Sequence, residues 1–348
     1  MSRITLAHGA GGLETRELLE SILFKRVDEK LKKVIGGVGI DFPDDAAAIP
    51  MPGDKYLILS TDAYTVNPIF FPGGDIGVLA VAGSINDVLM FGGKPIALLD
   101  SIVVEEGFPL NDLERILDSM LRLISSENVA LIGGDFKVMP RGQIDKIVIT
   151  TTGVGIAERP ILDRPQSGDK IIVSDYVGDH GAVIMLAQMG LDSTLNEFSS
   201  GLLKSDVKPL SNFMLPLLAK YGKYISAARD PTRGGLAGVL NEWAYNNSVL
   251  IHIKEEDVPI REPVRRYAEA LGVDPLYLAS EGVAVISIRA DLAAEVLEFI
   301  HSQGFDNARI IGEVRKSDLF KGYVVAETSI GGLRLIEPPR GELVPRIC

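Results

Sequence analysis

The stretch from Asp75 to Gly92 is apolar or small on almost every side, so a helix formed there has no face to offer to water. A helix hydrophobic all round belongs in a protein interior, and the rest of the fold must be built around it. Yet Asn86 and Asp87 sit inside this stretch. Buried polar groups need hydrogen-bond partners, so the segment predicts a buried helix with two side chains that other elements must satisfy.

At 348 residues the chain exceeds the size at which one core usually keeps growing, which predicts two domains. Before the buried helix, Leu18, Leu19, Ile22, Leu23, Val27 and Leu31 recur at helical spacing, predicting a surface helix over 14–31. Residues 56–60 form a β-favouring run that delivers Thr61 and Asp62 at its end. Asn111 with Glu114 reads as a capping box opening a helix to about Ser126, followed by a strand over 129–132 that ends in Gly133, Gly134 and Asp135. A further strand is expected over 146–156, and the Pro-rich segment 158–168 marks a domain boundary. Beyond it, strands over 170–174, 283–288 and 310–314 alternate with helices over 182–189, 236–245 and 292–301. After about Leu335 periodicity stops, which predicts a flexible tail.

A net charge of −12 argues against a general binder of nucleic acid or anionic membranes, which needs basic surface. An anionic substrate would then rely on backbone N–H groups, a few cations or a divalent metal. No apolar run is long enough for a signal peptide or a membrane span. Cys348, the last residue, is also the one cysteine. It can form neither an intrachain disulfide nor a zinc cage, and a lone thiol fits a reducing, cytoplasmic setting. As an isolated residue it reads either as a chemical handle or as an accident of a frayed end.

His8-Gly9-Ala10-Gly11-Gly12, just before a helix, reads equally as a phosphate cradle and as a glycine-rich turn. There is no P-loop signature, and Gly153 and Gly155 are followed by Glu158 where a dinucleotide fingerprint needs a third small residue. Any nucleotide must therefore be held in another way. Asp41, Asp44, Asp45, Asp62, Asp87, Asp135 and Asp230 stand at expected element ends, where scattered carboxylates suit magnesium and substrate phosphates. Each alone reads as a turn or cap. Lys137 would neutralise a phosphate, Thr232 reads as a helix cap, Arg233 would reach an anion, and Glu281 precedes an apolar strand as a candidate base or a solvated strand end.

Taken in order, His8 to Gly12, Asp44-Asp45, Ser60-Thr61-Asp62, Asn86 to Pro95, Gly133 to Lys137, Asp230 to Ala237, Ser280-Glu281-Gly282 and Pro345-Arg346-Ile347-Cys348 resemble the HypE carbamoyl dehydratase family of NiFe-hydrogenase maturation. The wider superfamily holds aminoimidazole ribonucleotide synthetase, selenophosphate synthetase and thiamine monophosphate kinase. The resemblance implies an α+β fold: an N-terminal α+β domain (1–160) that binds ATP and dimerises through a shared β-barrel, a C-terminal α/β sandwich domain (161–335) and a flexible tail (336–348). It also implies that a partner carbamoyltransferase loads a carbamoyl group onto Cys348. ATP then drives dehydration of that group to a thiocyanate, and the cyanide passes to an iron-carrying scaffold complex.

By the same resemblance, Asp45, Asp62 and Asp230 are the expected Mg2+ ligands, and Glu281 is the base, assisted by His8 and Asp87. Lys137 stabilises the transferring phosphoryl group. Gly11, Gly12, Asp44, Thr61, Asn86, Gly133, Gly134, Asp135, Thr232 and Arg233 are expected around ATP. Phe136 departs from the family pattern, which has a threonine there. Two other readings stand beside this one: a superfamily synthetase or kinase acting on a free small molecule, and a non-enzymatic thiol carrier.

Overall fold

A computed structural model describes residues 3–191 and 196–341. Cys348 lies outside the described residues.

The chain opens with α1 (Leu13–Leu19), which runs into a wider π turn over Glu20–Phe24. There follow β1 (Ala47–Met51), β2 (Lys55–Tyr64), β3 (Phe70–Phe71), β4 (Gly74–Asp75), α2 (Ile76–Met90), β5 (Lys94–Glu105), α3 (Leu110–Glu127), β6 (Ala130–Met139) and β7 (Ile147–Ala157). The second half contains β8 (Lys170–Val173), α4 (Asp179–Gln188), α5 (Asn196–Ser199), α6 (Ser211–Tyr221), β9 (Ile225–Arg229), α7 (Gly235–Asn247), β10 (Leu250–Lys254), α8 (Glu262–Leu271), β11 (Val285–Ile288), α9 (Ala293–Ser302), β12 (Arg309–Arg315), β13 (Tyr323–Glu327) and β14 (Leu333–Ile336).

Helix α2 is buried on all sides except at Val78. Asp75 caps it by accepting from the N–H groups of Gly77 (2.8 Å) and Val78 (3.0 Å), and also accepts from Ser119 Oγ (2.7 Å), which ties α2 to α3. The helix lies on a five-stranded sheet of order β1-β2-β7-β5-β6. Contact is so close that a Cβ on Gly153 of β7 would stand 2.5 Å from Ser84 O. Close packing against a helix, rather than any nucleotide, accounts for that glycine.

On its other side α2 meets α6 of the second half. Ile85 and Leu89 thus share one hydrophobic cluster with Phe213, Leu217 and Ile286. A seven-stranded sheet of order β14-β13-β10-β12-β8-β11-β9 carries this second half. In β8, Ile172 faces the α2 side, whereas Ile171 and Val173 face a second cluster around Trp243 of α7. Both faces are covered, as the near-continuous apolar strands predict.

Four local expectations change. The periodic segment 14–31 is no continuous helix; Ile22, Leu23 and Leu31 are exposed, and Asp28 starts a new turn by accepting from Lys30 N. No capping box opens α3, because Pro109 is its N-cap and Asn111 lies inside the helix. The glycines at 133–134 do not end a strand, since β6 runs straight through them to Met139. The first part of the tail expected from residue 336 is held in place: Ile336 closes β14, Pro339 is buried and the segment to Gly341 is hydrogen-bonded to the body.

Candidate active site

The loop before β1, the last turn of α2 and the end of β9 meet where the two halves join. Asp45, Asp87 and Asp230 each offer a carboxylate oxygen there, and all of these oxygens lie within 4.8 Å of one another. Asp45 Oδ2 and Asp230 Oδ2 are buried with no hydrogen-bond partner, whereas Asp87 accepts from Ser60 Oγ. Burial first, then neighbouring carboxylates, raises the pKa of Asp87 and Asp230 well above the ordinary range. Three such groups share a site stably when a cation offsets their repulsion.

Arg229 supplies part of that offset. Its Nε donates to Asp45 Oδ1 at 2.7 Å, and its Nη1 donates to Asp163 Oδ2 at 3.0 Å and Glu242 Oε2 at 2.6 Å. Asp44 is not aimed at a ligand. Its oxygens accept from the backbone N–H groups of Asp45 (2.8 Å) and Asp163 (3.0 Å), and burial pushes its pKa up to about 7. A cleft of about 440 Å3 opens beside this network, lined by Gly11, Asp45, Arg229, Asp230, Thr232 and Arg233 among others.

Asp62, expected as a metal ligand, stands outside the trio and pairs with Arg233 at 3.7 Å. Its charge still reaches the site, raising the pKa values of Asp87 and Glu281. Glu281 is buried; desolvation, then Asp230, raises its pKa well above normal. Asp206 accepts from Glu281 N at 3.1 Å.

Other expected residues have different occupations. Asn86 donates to the carbonyls of Lys208 (3.1 Å) and Glu281 (3.3 Å) and accepts from Leu210 N (2.9 Å), so it clamps the loop that carries Glu281. The ring Nδ1 of His8 is engaged by Thr5, through its backbone N–H at 3.1 Å and its hydroxyl at 2.8 Å. The cap before α7 is Gly234 in the left-handed region, and Thr232 makes no side-chain cap there. Thr61 is exposed and accepts from Thr152 Oγ1 at 3.1 Å. Asp41 pairs with Lys33 at 2.7 Å, apart from the trio.

Gly133, Gly134, Asp135 and Lys137 are not brought to the trio within one chain. In register, Asp62 pairs with Thr151, Thr151 with Asp100, and Asp100 with Gly134. Three strand spacings separate β2 from β6 by roughly 14 Å. Asp135 and Lys137 share one face of β6 because they are two residues apart, and they pair with each other at 2.8 Å.

Sequence reading overlooked Arg229 and Asp163, and gave Ser60 no role of its own. Arg229 had a signal, since it directly precedes Asp230. Asp163 had none, because a linker aspartate looks the same whether or not it is buried.

Comparisons with known proteins place the chain in a family. Residues 43–157 match the N-terminal domain family of AIR synthase related proteins, and 166–325 match its C-terminal domain family. The carbamoyl dehydratase HypE of Rhizobium leguminosarum bv. viciae is 39% identical, over 99% of this chain and 95% of that protein. A HypE crystallised with HypF superposes with a TM-score of 0.82 at 36% identity, covering 92% of this chain and 99% of that one. A HypE crystallised with ATP gives a TM-score of 0.79 at 37% identity, covering 99% and 100%. With its aspartate trio at the join of two AIR synthase-like domains, the chain belongs to the HypE carbamoyl dehydratase family.

Proposed function

We propose that this protein is an ATP-dependent carbamoyl dehydratase that converts an S-carbamoyl group on Cys348 to a thiocyanate, supplying cyanide for a NiFe-hydrogenase iron centre. The observation that carries this reading is the trio of Asp45, Asp87 and Asp230, two of whose buried oxygens have no partner. In the balanced reaction the amide oxygen leaves with the phosphoryl group as phosphate, two protons leave nitrogen, and a C≡N bond remains on sulfur. The relative crystallised with ATP supports the nucleotide requirement.

Mg2+ fits the trio, because hard carboxylate oxygens are its preferred protein ligands; when bound it would offset charge on the phosphates. Asp45, Asp87 and Asp230 would hold it, Arg229 keeps Asp45 oriented, and Arg233 presents its charge to the phosphate side of the cleft. Glu281 takes a proton from the substrate nitrogen. Burial, then the neighbouring Asp230, raises its pKa and so makes its carboxylate a stronger base than a solvated one.

Lys137 and Asp135 would act from an edge strand. β6 is the outer strand of its sheet and exposes Leu131, Ile132, Phe136 and Val138. Such an edge pairs readily with another strand, which supports a homodimer whose sheets join as a β-barrel and brings these residues toward the partner's cleft. A monomer in sedimentation equilibrium would overturn the dimer.

In this reading residues 1–160 bind ATP and dimerise, 161–335 complete the cleft, and 336–348 carry the thiol. The HypE–HypF complex supports a carbamoyltransferase partner; the product goes on to an iron-carrying scaffold complex. No described helix is long and apolar enough to cross a membrane, which accords with the proposed cytoplasmic setting.

The test is mass analysis of the carbamoylated protein after addition of Mg2+ and ATP. The expected result is loss of one water from the peptide containing Cys348, abolished in Cys348→Ala and slowed about 100-fold or more in Glu281→Gln. An unchanged Glu281→Gln with normal ATP binding would remove the base assignment. Turnover of a free small molecule that survives Cys348→Ala would favour a superfamily kinase or synthetase, and absence of ATP hydrolysis a simple carrier.

A further inference from the structure

From Glu337 to Gly341 the chain is neither helix nor strand, yet it is tied to the body at every second residue. Glu337 O accepts from Tyr277 Oη at 2.8 Å and from Asn241 Nδ2 at 3.2 Å. Pro339 O accepts from Leu13 N at 3.1 Å, and Gly341 N donates to Glu14 Oε1 at 3.1 Å. Inward groups at 337, 339 and 341 have the period of an extended segment. Pro338 and Pro339 have no N–H to offer, so this segment binds mainly through its carbonyls.

The docking surface is shaped for close approach. A Cβ on Gly12 would lie 2.6 Å from Pro339 O, and one on Gly234 would lie 2.7 Å from Pro339 Cγ. Gly11 in turn packs on Arg233, where a Cβ would stand 2.6 Å from Arg233 Cβ. Gly12 and Arg233 also line the cleft beside Asp45 and Asp230. The segment therefore rests on the rim of the candidate active site.

We infer that Glu337–Gly341 is a strap fixing the point from which the chain leading to Cys348 departs, and that Glu14 and Tyr277 are positioning residues for the reaction of that thiol. This inference rests on the proposed role of Cys348. With the strap docked, the tether from Gly341 to the thiol has seven residues, 342–348, a reach of at most about 25 Å. Released back to Ile336, the tether has twelve residues and a reach of about 42 Å. Lengthening alone dilutes the thiol at the cleft roughly twofold. Loss of a fixed direction of departure adds to this, for an expected fall of about three- to tenfold.

The double variant Glu14→Ala/Tyr277→Phe removes two anchors, whereas Glu14→Gln keeps an oxygen to accept from Gly341 N. Four quantities are measured: exchange of the Leu13 amide hydrogen, ATP affinity, the rate of water loss from the carbamoylated chain itself, and the rate with a separate carbamoylated peptide of residues 342–348. The last uses protein that also carries Cys348→Ala. In the double variant, faster Leu13 exchange and a three- to tenfold slower reaction of its own thiol are expected, with ATP affinity and peptide rate unchanged. Glu14→Gln should behave as the parent. Unchanged Leu13 exchange, an unchanged intramolecular rate, or an equal fall with the separate peptide each overturns the inference. Absence of water loss in the parent protein overturns the underlying function instead, and the strap's role with it.

Discussion

Replacing Arg229 with methionine is expected to lower the unfolding free energy by about 3–5 kcal/mol above neutral pH. Arg229 is the shared partner of Asp45, Asp163 and Glu242, and its charge also lowers the pKa of Asp44. Methionine fills similar space but leaves Asp45 and Asp163 as buried carboxylates without a cation. The loss should depend on pH in a definite direction. Asp44 has a folded-state pKa raised from 3.8 to about 7, so between those values the folded chain binds more protons than the unfolded one. Stability contributed by such a group falls as pH rises through this window.

Removing Arg229 drives the neighbouring carboxyl values further upward, so the variant's stability falls more steeply with pH than the parent's. Their difference should be greatest above about pH 7 and shrink toward pH 4. Urea unfolding on both sides of the window measures this. A loss below about 1 kcal/mol above the window, or an equal loss on both sides, would show that the network is not held together by this cation.

Asp230→Asn should move activity and stability in opposite directions. With one of three convergent carboxylates gone, dehydration of the carbamoylated chain should slow by on the order of 100- to 1,000-fold. Without metal or nucleotide, however, the variant should be more stable than the parent, by about 0.5–2 kcal/mol, because like charges no longer crowd a buried site. Thermal unfolding with and without Mg2+ and ATP reads both effects. The parent should gain stability from the ligands by mass action, and the variant should gain little. A variant destabilised without ligands, or stabilised by them as much as the parent, would place the metal elsewhere.

The contrast between Asp87 and Asn86 shows how far sequence reading goes. Both stood out as polar residues in an apolar helix, and both are buried. Asp87 joins the trio, while Asn86 holds backbone groups of Lys208, Leu210 and Glu281. Nothing local distinguishes them, because the partners of Asn86 lie more than 120 residues away along the chain. Asp135 and Lys137 show the limit for local structure. The glycines before them read as the end of a strand, but β6 passes through them as a sheet edge.

What could be read from residues alone was whatever depends on near neighbours: the buried helix at 76–90, the strands on either side of the 158–168 linker, and the type of chemistry that aspartates, Glu281 and a single thiol permit. Convergence was not readable. Which aspartates face one another, which arginine balances them, and where the segment before Cys348 leaves the surface depend on packing α2 between two sheets and on contacts such as Leu13 N to Pro339 O. Such contacts join residues hundreds of positions apart. Sequence periodicity decays within a few turns or strands, so it holds no record of them.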